Sequence, residues 1–245
     1  MYPYLYQSSS LTIGSYGLLL AIAYLVGRWY FLTQLETRAP EIKHSEILII
    51  LLLVFGVVGA KLMFLLKNPD KTGLIYSGEG FSSQGALLGA LLATYLFTYW
   101  QKAKLHKILD FAAPAAILAY GIARIGCFLA GDECHGIASN LPWAMSFPQG
   151  LDPVHEKVHP VPLYEIIYSI AIFVYLIKRQ NRKTQPFSQF FVLLGLWGIC
   201  RFLVEFVSSN PKIILSMSGS QFGALLMAIA AAIYYFGYYR PKTKV

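Results

Sequence analysis

Phe187-Ser188-Gln189-Phe190-Phe191-Val192-Leu193-Leu194-Gly195-Leu196-Trp197-Gly198-Ile199-Cys200-Arg201-Phe202-Leu203-Val204-Glu205-Phe206-Val207-Ser208 is long and apolar enough to cross a bilayer, yet it carries an arginine and a glutamate. Crossing roughly 30 Å of hydrocarbon takes about 20 apolar residues. A charge placed there costs from roughly 3 to above 10 kcal/mol, so it faces a protein interior and commonly marks a site. Arg201 and Glu205 stand four apart, on one helical face, where they pair. Working outward, the same combination recurs: Arg124 lies in the apolar run 108–131, and Glu165 near the start of the run 160–177. Paired charges can serve helix packing alone, but the rest of the sequence favours a site.

Composition sets the class. Of 245 residues, 56% are hydrophobic and 13% charged, whereas about a quarter are charged in soluble domains. Further runs at 11–33, 46–66, 82–100 and 219–239 bring the expected spans to seven. The expectation is an all-α, polytopic membrane protein, a single domain over residues 1–245. Its one sizeable loop, 132–159, is too polar for lipid and is expected to form a small extracytoplasmic cap.

Loop charge gives the orientation. The segments on one side hold Arg28, Arg38, Lys43, Lys102, Lys104, Lys107, Lys178, Arg179, Arg182, Lys183, Arg240, Lys242 and Lys244; the N-terminal side holds Lys67, Lys71, Lys157 and Lys212. The positive-inside rule puts the N-terminus outside and the C-terminus in the cytoplasm. The net charge of +8 is then mostly a topology signal with some attraction to anionic lipids, and no motif supports nucleic-acid binding. No cleavable signal peptide is expected, since a positive n-region is missing.

This topology gathers the polar side chains at one depth, near the outer leaflet: Tyr16, Lys61, Gln84, Arg124, Glu165, Arg201 and Glu205. Lys61 alone can snorkel to the head groups. Two arginines at that depth suit an anion in lipid, because guanidinium forks bind phosphate oxygens bidentately. A phospholipid head group is the expected ligand. A channel or transporter would need a polar path through the cytoplasmic half, where Asp110 stands nearly alone.

Two other patterns carry less. His155-Glu156-Lys157-Val158-His159 matches H-E-x-x-H, which needs a helix to set both histidines on one metal. Pro153, Pro160 and Pro162 surround it, and the residue before a proline is pushed out of helical geometry, so a metalloprotease is only a remote alternative. Cys127, Cys134 and Cys200 make no two-bridge framework. Cys127 reads as a small buried residue of its span, although pairing with Cys134 outside the membrane is open. Neither a metal nor a cofactor is expected.

At this point the motifs carry a resemblance. Gly121-Ile122-Ala123-Arg124-Ile125-Gly126-Cys127-Phe128-Leu129-Ala130-Gly131-Asp132 resembles the signature GRIGNFINGE of bacterial prolipoprotein diacylglyceryl transferases. Ser15-Tyr16-Gly17, Gly59-Ala60-Lys61-Leu62, Phe81-Ser82-Ser83-Gln84-Gly85-Ala86-Leu87-Leu88-Gly89, His159-Pro160-Val161-Pro162-Leu163-Tyr164-Glu165 and Gly198-Ile199-Cys200-Arg201-Phe202-Leu203-Val204-Glu205-Phe206 resemble further motifs of that family, in the same order. The resemblance covers most of the chain. It implies a multi-pass enzyme of the bacterial cytoplasmic membrane. Such an enzyme moves the diacylglyceryl group of phosphatidylglycerol to the lipobox cysteine thiol of a prolipoprotein, releasing glycerol 1-phosphate. Arg124 and Arg201 would stabilise the phosphate as it leaves, Glu205 would orient Arg201, Tyr16 would bond the head group, and Asp132 stands where the family has glutamate. Tyr164 and Glu165 would anchor the cap to span 5, Gly136 corresponds to the family's loop glycine, and Trp197 to its aromatic before the arginine.

The departures matter too. Gln84 stands in place of the motif histidine, and Cys127 in place of the signature asparagine. An amide accepts no proton at neutral pH, so the base is another group (Glu205, Asp132 or His135), or the thiol needs none: a cysteine pKa near about 8.5 leaves a few per cent thiolate at pH 7. The alternative from another class is a non-catalytic or altered-specificity phospholipid-binding relative.

Overall fold

Each apolar run folds as a helix, because in a bilayer the backbone must satisfy its own hydrogen bonds. The computed structural model describes residues 1–8, 12–70, 73, 80–132, 134–180, 185–214 and 216–238. Lys71, Glu133, Arg182, Lys183, Arg240, Lys242 and Lys244 lie outside the described residues. The helices are α1 (Ser15–Arg38), α2 (Ser45–Lys67), α3 (Ser83–Gln101), α4 (Leu105–Ala130), α5 (Val161–Gln180), α6 (Ser188–Val204), which runs on into a 3₁₀ turn at Glu205–Val207, and α7 (Gly219–Gly237). Among the described residues, six helices are long and apolar enough to cross a membrane. α3 has the length, at 19 residues, but Gln84, Thr94, Thr98 and Gln101 lower its mean hydropathy.

Among the described residues, six short strands lie before and between the helices, beyond the helical architecture expected: β1 (Tyr4–Gln7), β2 (Thr12–Gly14), β3 (Met145–Phe147), β4 (Val154–Val158), β5 (Lys212–Ile214) and β6 (Met217–Ser218). They pair antiparallel as β1–β2, β3–β4 and β5–β6. The first span begins at Ser15 instead of residue 11 because Thr12 and Ile13 pair with Gln7 and Tyr6.

The chain packs as two compact units, one of Met1–Tyr30 with Leu109–Val245, the other of Phe31–Ile108. In the second unit α2 and α3 meet backbone to backbone. A Cβ built on Gly89 would lie 2.0 Å from the Phe55 carbonyl oxygen, and one on Gly85 would lie 2.1 Å from that of Gly59. Small residues let membrane helices approach this closely. Gly89→Ala is therefore expected to cost about 1–3 kcal/mol by overpacking, read as a lower thermal midpoint in detergent.

In the first unit the core lies between α4, α5 and α6: Ala113, Ile117, Tyr168, Ile172 and Leu176 are buried, with Val192, Leu196 and Trp197 against them. Asp110, the polar residue expected near the inner end of its span, accepts the Phe190 backbone N–H at 3.0 Å. It serves as a helix N-terminal cap for α6, where a carboxylate also meets the dipole favourably. Backbone hydrogen bonds from the loops and the N-terminal ribbon reach the helix ends. Tyr2 N–H donates to the Leu129 carbonyl at 3.0 Å, Ser15 N–H to that of Pro3 at 2.9 Å, and Ile137 N–H to that of Val207 at 2.9 Å. Residues 134–159 carry the β3–β4 hairpin and bond to the ends of α4 and α6, Leu151 N–H to the Ala130 carbonyl at 2.9 Å.

Candidate active site between helices 4, 5 and 6

Pro160 and Pro162 fix the entry into α5, where missing N–H groups cost nothing. One turn on, Glu165 heads a buried stripe that continues through Tyr168, Ser169, Ile172 and Leu176. The stripe follows helical periodicity, so the carboxylate faces the same neighbours as the apolar core below it. Its side chain has no exposure.

Two arginines converge on it. Arg124 Nε lies 2.7 Å from Glu165 Oε2, and Arg201 Nη1 bonds Glu165 Oε1. Arg201 Nη2 also lies 2.8 Å from Glu205 Oε2. The Glu205 Oε1 atom accepts from Asn210 Nδ2 at 2.7 Å and from Ser218 Oγ at 2.5 Å. Tyr120 donates to Glu165 Oε1 at 2.8 Å, and its hydroxyl meets that of Tyr168 at 3.0 Å. The Arg124 guanidinium stands over the Tyr120 ring, 4.9 Å from its centroid, a cation–π contact. Trp197 packs edge-on against the same ring at 5.8 Å.

Positive and negative charges balance, which makes burial tolerable. The two arginines differ in access: the Arg124 side chain is 20% exposed and that of Arg201 9%. Arg124 is thus the better placed to meet a ligand.

The exposed side of Arg124 is lined by the end of α4. Arg124 Nη1 donates to Cys127 Sγ at 3.7 Å and to Cys134 Sγ at 3.4 Å. Gly131, at φ +58°, ends the helix in the left-handed conformation that glycine adopts without penalty. The chain turns back there, and Asp132 Oδ1 accepts the Cys134 N–H at 3.1 Å. Tyr16 packs on Gly126 and lies within electrostatic reach of Cys127, Asp132, Arg124 and Cys134. The hydrogen bond from the Cys127 thiol, with Arg124 beside it, holds the Cys134 thiol below its ordinary range. More thiolate is then present at any given pH. Iodoacetamide labelling of Cys134 should rise at a lower pH than the value of about 8.5 for a free cysteine, which a labelling profile read by peptide mass will check.

Tyr16, Arg124, Cys127, Asp132, Glu165, Trp197, Arg201 and Glu205 all fall in this one unit around the ion network or the turn beside Arg124. Two further predicted residues stand at the 132–159 loop, Gly136 within it and Tyr164 in the first turn of α5. The Tyr164 hydroxyl accepts from Trp143 Nε1 at 2.8 Å and meets His159 Nδ1 at 3.1 Å. Gly136 is enclosed, since a Cβ on it would lie 2.2 Å from the Val207 carbonyl oxygen. Gln84 belongs to the second unit, where its Oε1 accepts from Lys67 Nζ at 2.8 Å and Ser82 Oγ at 2.9 Å.

His155, Glu156 and Lys157 lie on strand β4 and are exposed, so the zinc-protease pattern lacks its helix. Cys127, Asp132 and Cys134 bring three possible ligand atoms within 4.8 Å of one another, but the guanidinium on both sulfurs opposes a cation there. Tyr120, Tyr168, Asn210 and Ser218 were not predicted. Tyr120 stands four residues before Arg124 and Tyr168 three after Glu165, a helical spacing that offered the signal.

Comparison with known proteins agrees in length and position. A family model described as prolipoprotein diacylglyceryl transferase matches residues 3–237. The chain is similar to the phosphatidylglycerol–prolipoprotein diacylglyceryl transferase of Clostridium tetani, 29% identical over 94% of each chain. It is also similar to the enzyme of that name from Thermosynechococcus vestitus, at 31% over 80% of this chain and 77% of the relative. A third, from Parasynechococcus marenigrum, is 33% identical over 85% of this chain and 81% of its own.

Proposed function

Because the chain belongs to the prolipoprotein diacylglyceryl transferase family, we propose that it transfers the diacylglyceryl group of phosphatidylglycerol to the thiol of a prolipoprotein lipobox cysteine. The observation that carries this reading is the buried Glu165 holding two arginines, one of which, Arg124, keeps a fifth of its side chain exposed. That arrangement presents a fixed positive group to an anion without leaving an unpaired charge in the core.

In the reaction the thiol sulfur attacks the glycerol carbon esterified to phosphate. A carbon–sulfur bond forms, the carbon–oxygen bond breaks, and glycerol 1-phosphate leaves. Arg124 holds the phosphate as negative charge builds on its oxygens, and Arg201 supports that geometry through Glu165. Trp197 and Tyr120 keep the Arg124 guanidinium in place, and Tyr16 bonds the head group.

The thiol proton goes to Asp132. Glu165 is engaged by two arginines and two tyrosines, and Glu205 by Arg201, Asn210 and Ser218. Among the described residues, Asp132 is the carboxylate of this site without an arginine in ion-pair contact. Gln84→His is accordingly expected to leave turnover within about tenfold of the parent, since proton transfer by Asp132 does not pass through residue 84; a larger loss would show Gln84 to be indispensable as it stands.

The basic loops support seven spans in one membrane domain of the bacterial cytoplasmic membrane. The N-terminus, the 132–159 cap and the Arg124 site lie on the outer face, and the C-terminus in the cytoplasm. Purified protein incubated with phosphatidylglycerol and a lipobox peptide should give the diacylglyceryl peptide and glycerol phosphate. Neither product, in a preparation that still binds the lipid, would sink the transferase reading and leave a lipid-binding relative.

A further inference from the structure

Resting on the reading of Arg124 as the phosphate-holding group, we infer that Cys127 and Cys134 form a reversible dithiol–disulfide site that controls access of phosphatidylglycerol to Arg124. Both cysteines are free thiols, and their sulfurs lie within 4.8 Å of each other. Both are on the same nitrogen of the same guanidinium, at 3.7 and 3.4 Å. Cys127 sits in the last turn of α4, and Cys134 follows the left-handed turn at Gly131, whose N–H still bonds the Cys127 carbonyl at 2.9 Å. The turn therefore folds Cys134 back over Cys127. Closing the sulfurs to about 2 Å brings together a loop residue and a buried residue of the last turn of α4.

The two redox states differ in how firmly the sulfurs hold Arg124. In the dithiol form both sulfurs accept from Arg124 Nη1, that of Cys134 with its thiol acidified by the hydrogen bond from Cys127, and they stand in the place of a phosphate oxygen. A disulfide is uncharged and accepts hydrogen bonds poorly, so oxidation frees that nitrogen for the lipid phosphate. The exchange balances with a small-molecule disulfide as oxidant. The Cys134 thiolate attacks one of its sulfurs and expels a thiolate. Cys127 then loses its proton, attacks the Cys134 sulfur of the mixed disulfide and expels the second. Two protein thiols become one disulfide, and the oxidant becomes two thiols. Thiol oxidants persist outside the cytoplasm, the side to which the loop charges assign this end of α4.

The test uses the full chain in nanodiscs, treated with oxidised glutathione or dithiothreitol and then alkylated with N-ethylmaleimide under denaturing conditions. The reduced protein should take label at all three cysteines and the oxidised one at Cys200 alone. Phosphatidylglycerol binding should tighten about tenfold on oxidation, the scale of one hydrogen bond to a charged group. Cys127→Ser and Cys134→Ser should each abolish that response, and Cys200→Ser should keep it. Full labelling after oxidation, lipid affinity that is unchanged or weaker, or a zinc ion bound per reduced chain would each overturn the inference. Turnover is read in parallel and judges the transferase alone: a disulfide that tightens lipid binding without yielding product leaves this site standing and removes that activity.

Discussion

Arg124→Ala is expected to lower phosphatidylglycerol turnover by at least about 100-fold, the scale on which removing one preorganised charge-stabilising donor acts. The fold should survive, because Glu165 keeps Arg201 as counter-ion together with the hydroxyls of Tyr120 and Tyr168. Arg124→Lys should not restore activity. An ammonium on a flexible stem cannot reach Glu165 and present a fork to phosphate at once, which a planar guanidinium does. Product formation, followed with a lipobox peptide beside a thermal midpoint for each variant, checks both statements. Near-parental turnover in Arg124→Ala would refute the phosphate-holding assignment.

The second large effect is on stability. Glu165→Gln keeps the shape of the side chain but leaves a buried and a half-buried arginine with a single remaining carboxylate, Glu205, which pairs with Arg201 and not with Arg124. Breaking a buried pair by removing one partner typically costs about 3–5 kcal/mol. The expected result is a strongly lowered unfolding midpoint in detergent, with activity lost alongside it. A loss below about 1 kcal/mol, the range of an exposed pair, would show that Glu165 does not bind the network together.

The difference between these two variants follows what the sequence made legible. Apolar length alone located the helices, and the cost of charge in hydrocarbon singled out Arg124, Glu165, Arg201 and Glu205. Pairing of Arg201 with Glu205 was also readable, since i,i+4 contacts depend on one helix only. Glu165 as the centre was not. Its role depends on how α5 is rotated against α4 and α6, which is set by Tyr168 one turn on and by Ile172 and Leu176 packing beyond it. Tyr120 and Tyr168 went unnoticed because a tyrosine in a span reads as apolar surface until a buried acceptor claims its hydroxyl. The strand pairs escaped for another reason. With three residues in β3 and two in β6, no alternation can show, and their register is set by the helix ends they join.

The order of charges along the chain bears on how the protein is made. Arg124, Glu165, Arg201 and Glu205 alternate in sign, and each carboxylate binds the arginine that precedes it. During synthesis α4 therefore enters the bilayer with one positive side chain whose partner arrives with the very next helix. α6 then brings its own pair, so a growing chain never carries more than one of these four charges uncompensated. A hairpin of α4 and α5 is the natural unit of insertion, and a ribosome stalled between the two would leave Arg124 exposed to the quality-control machinery of the membrane.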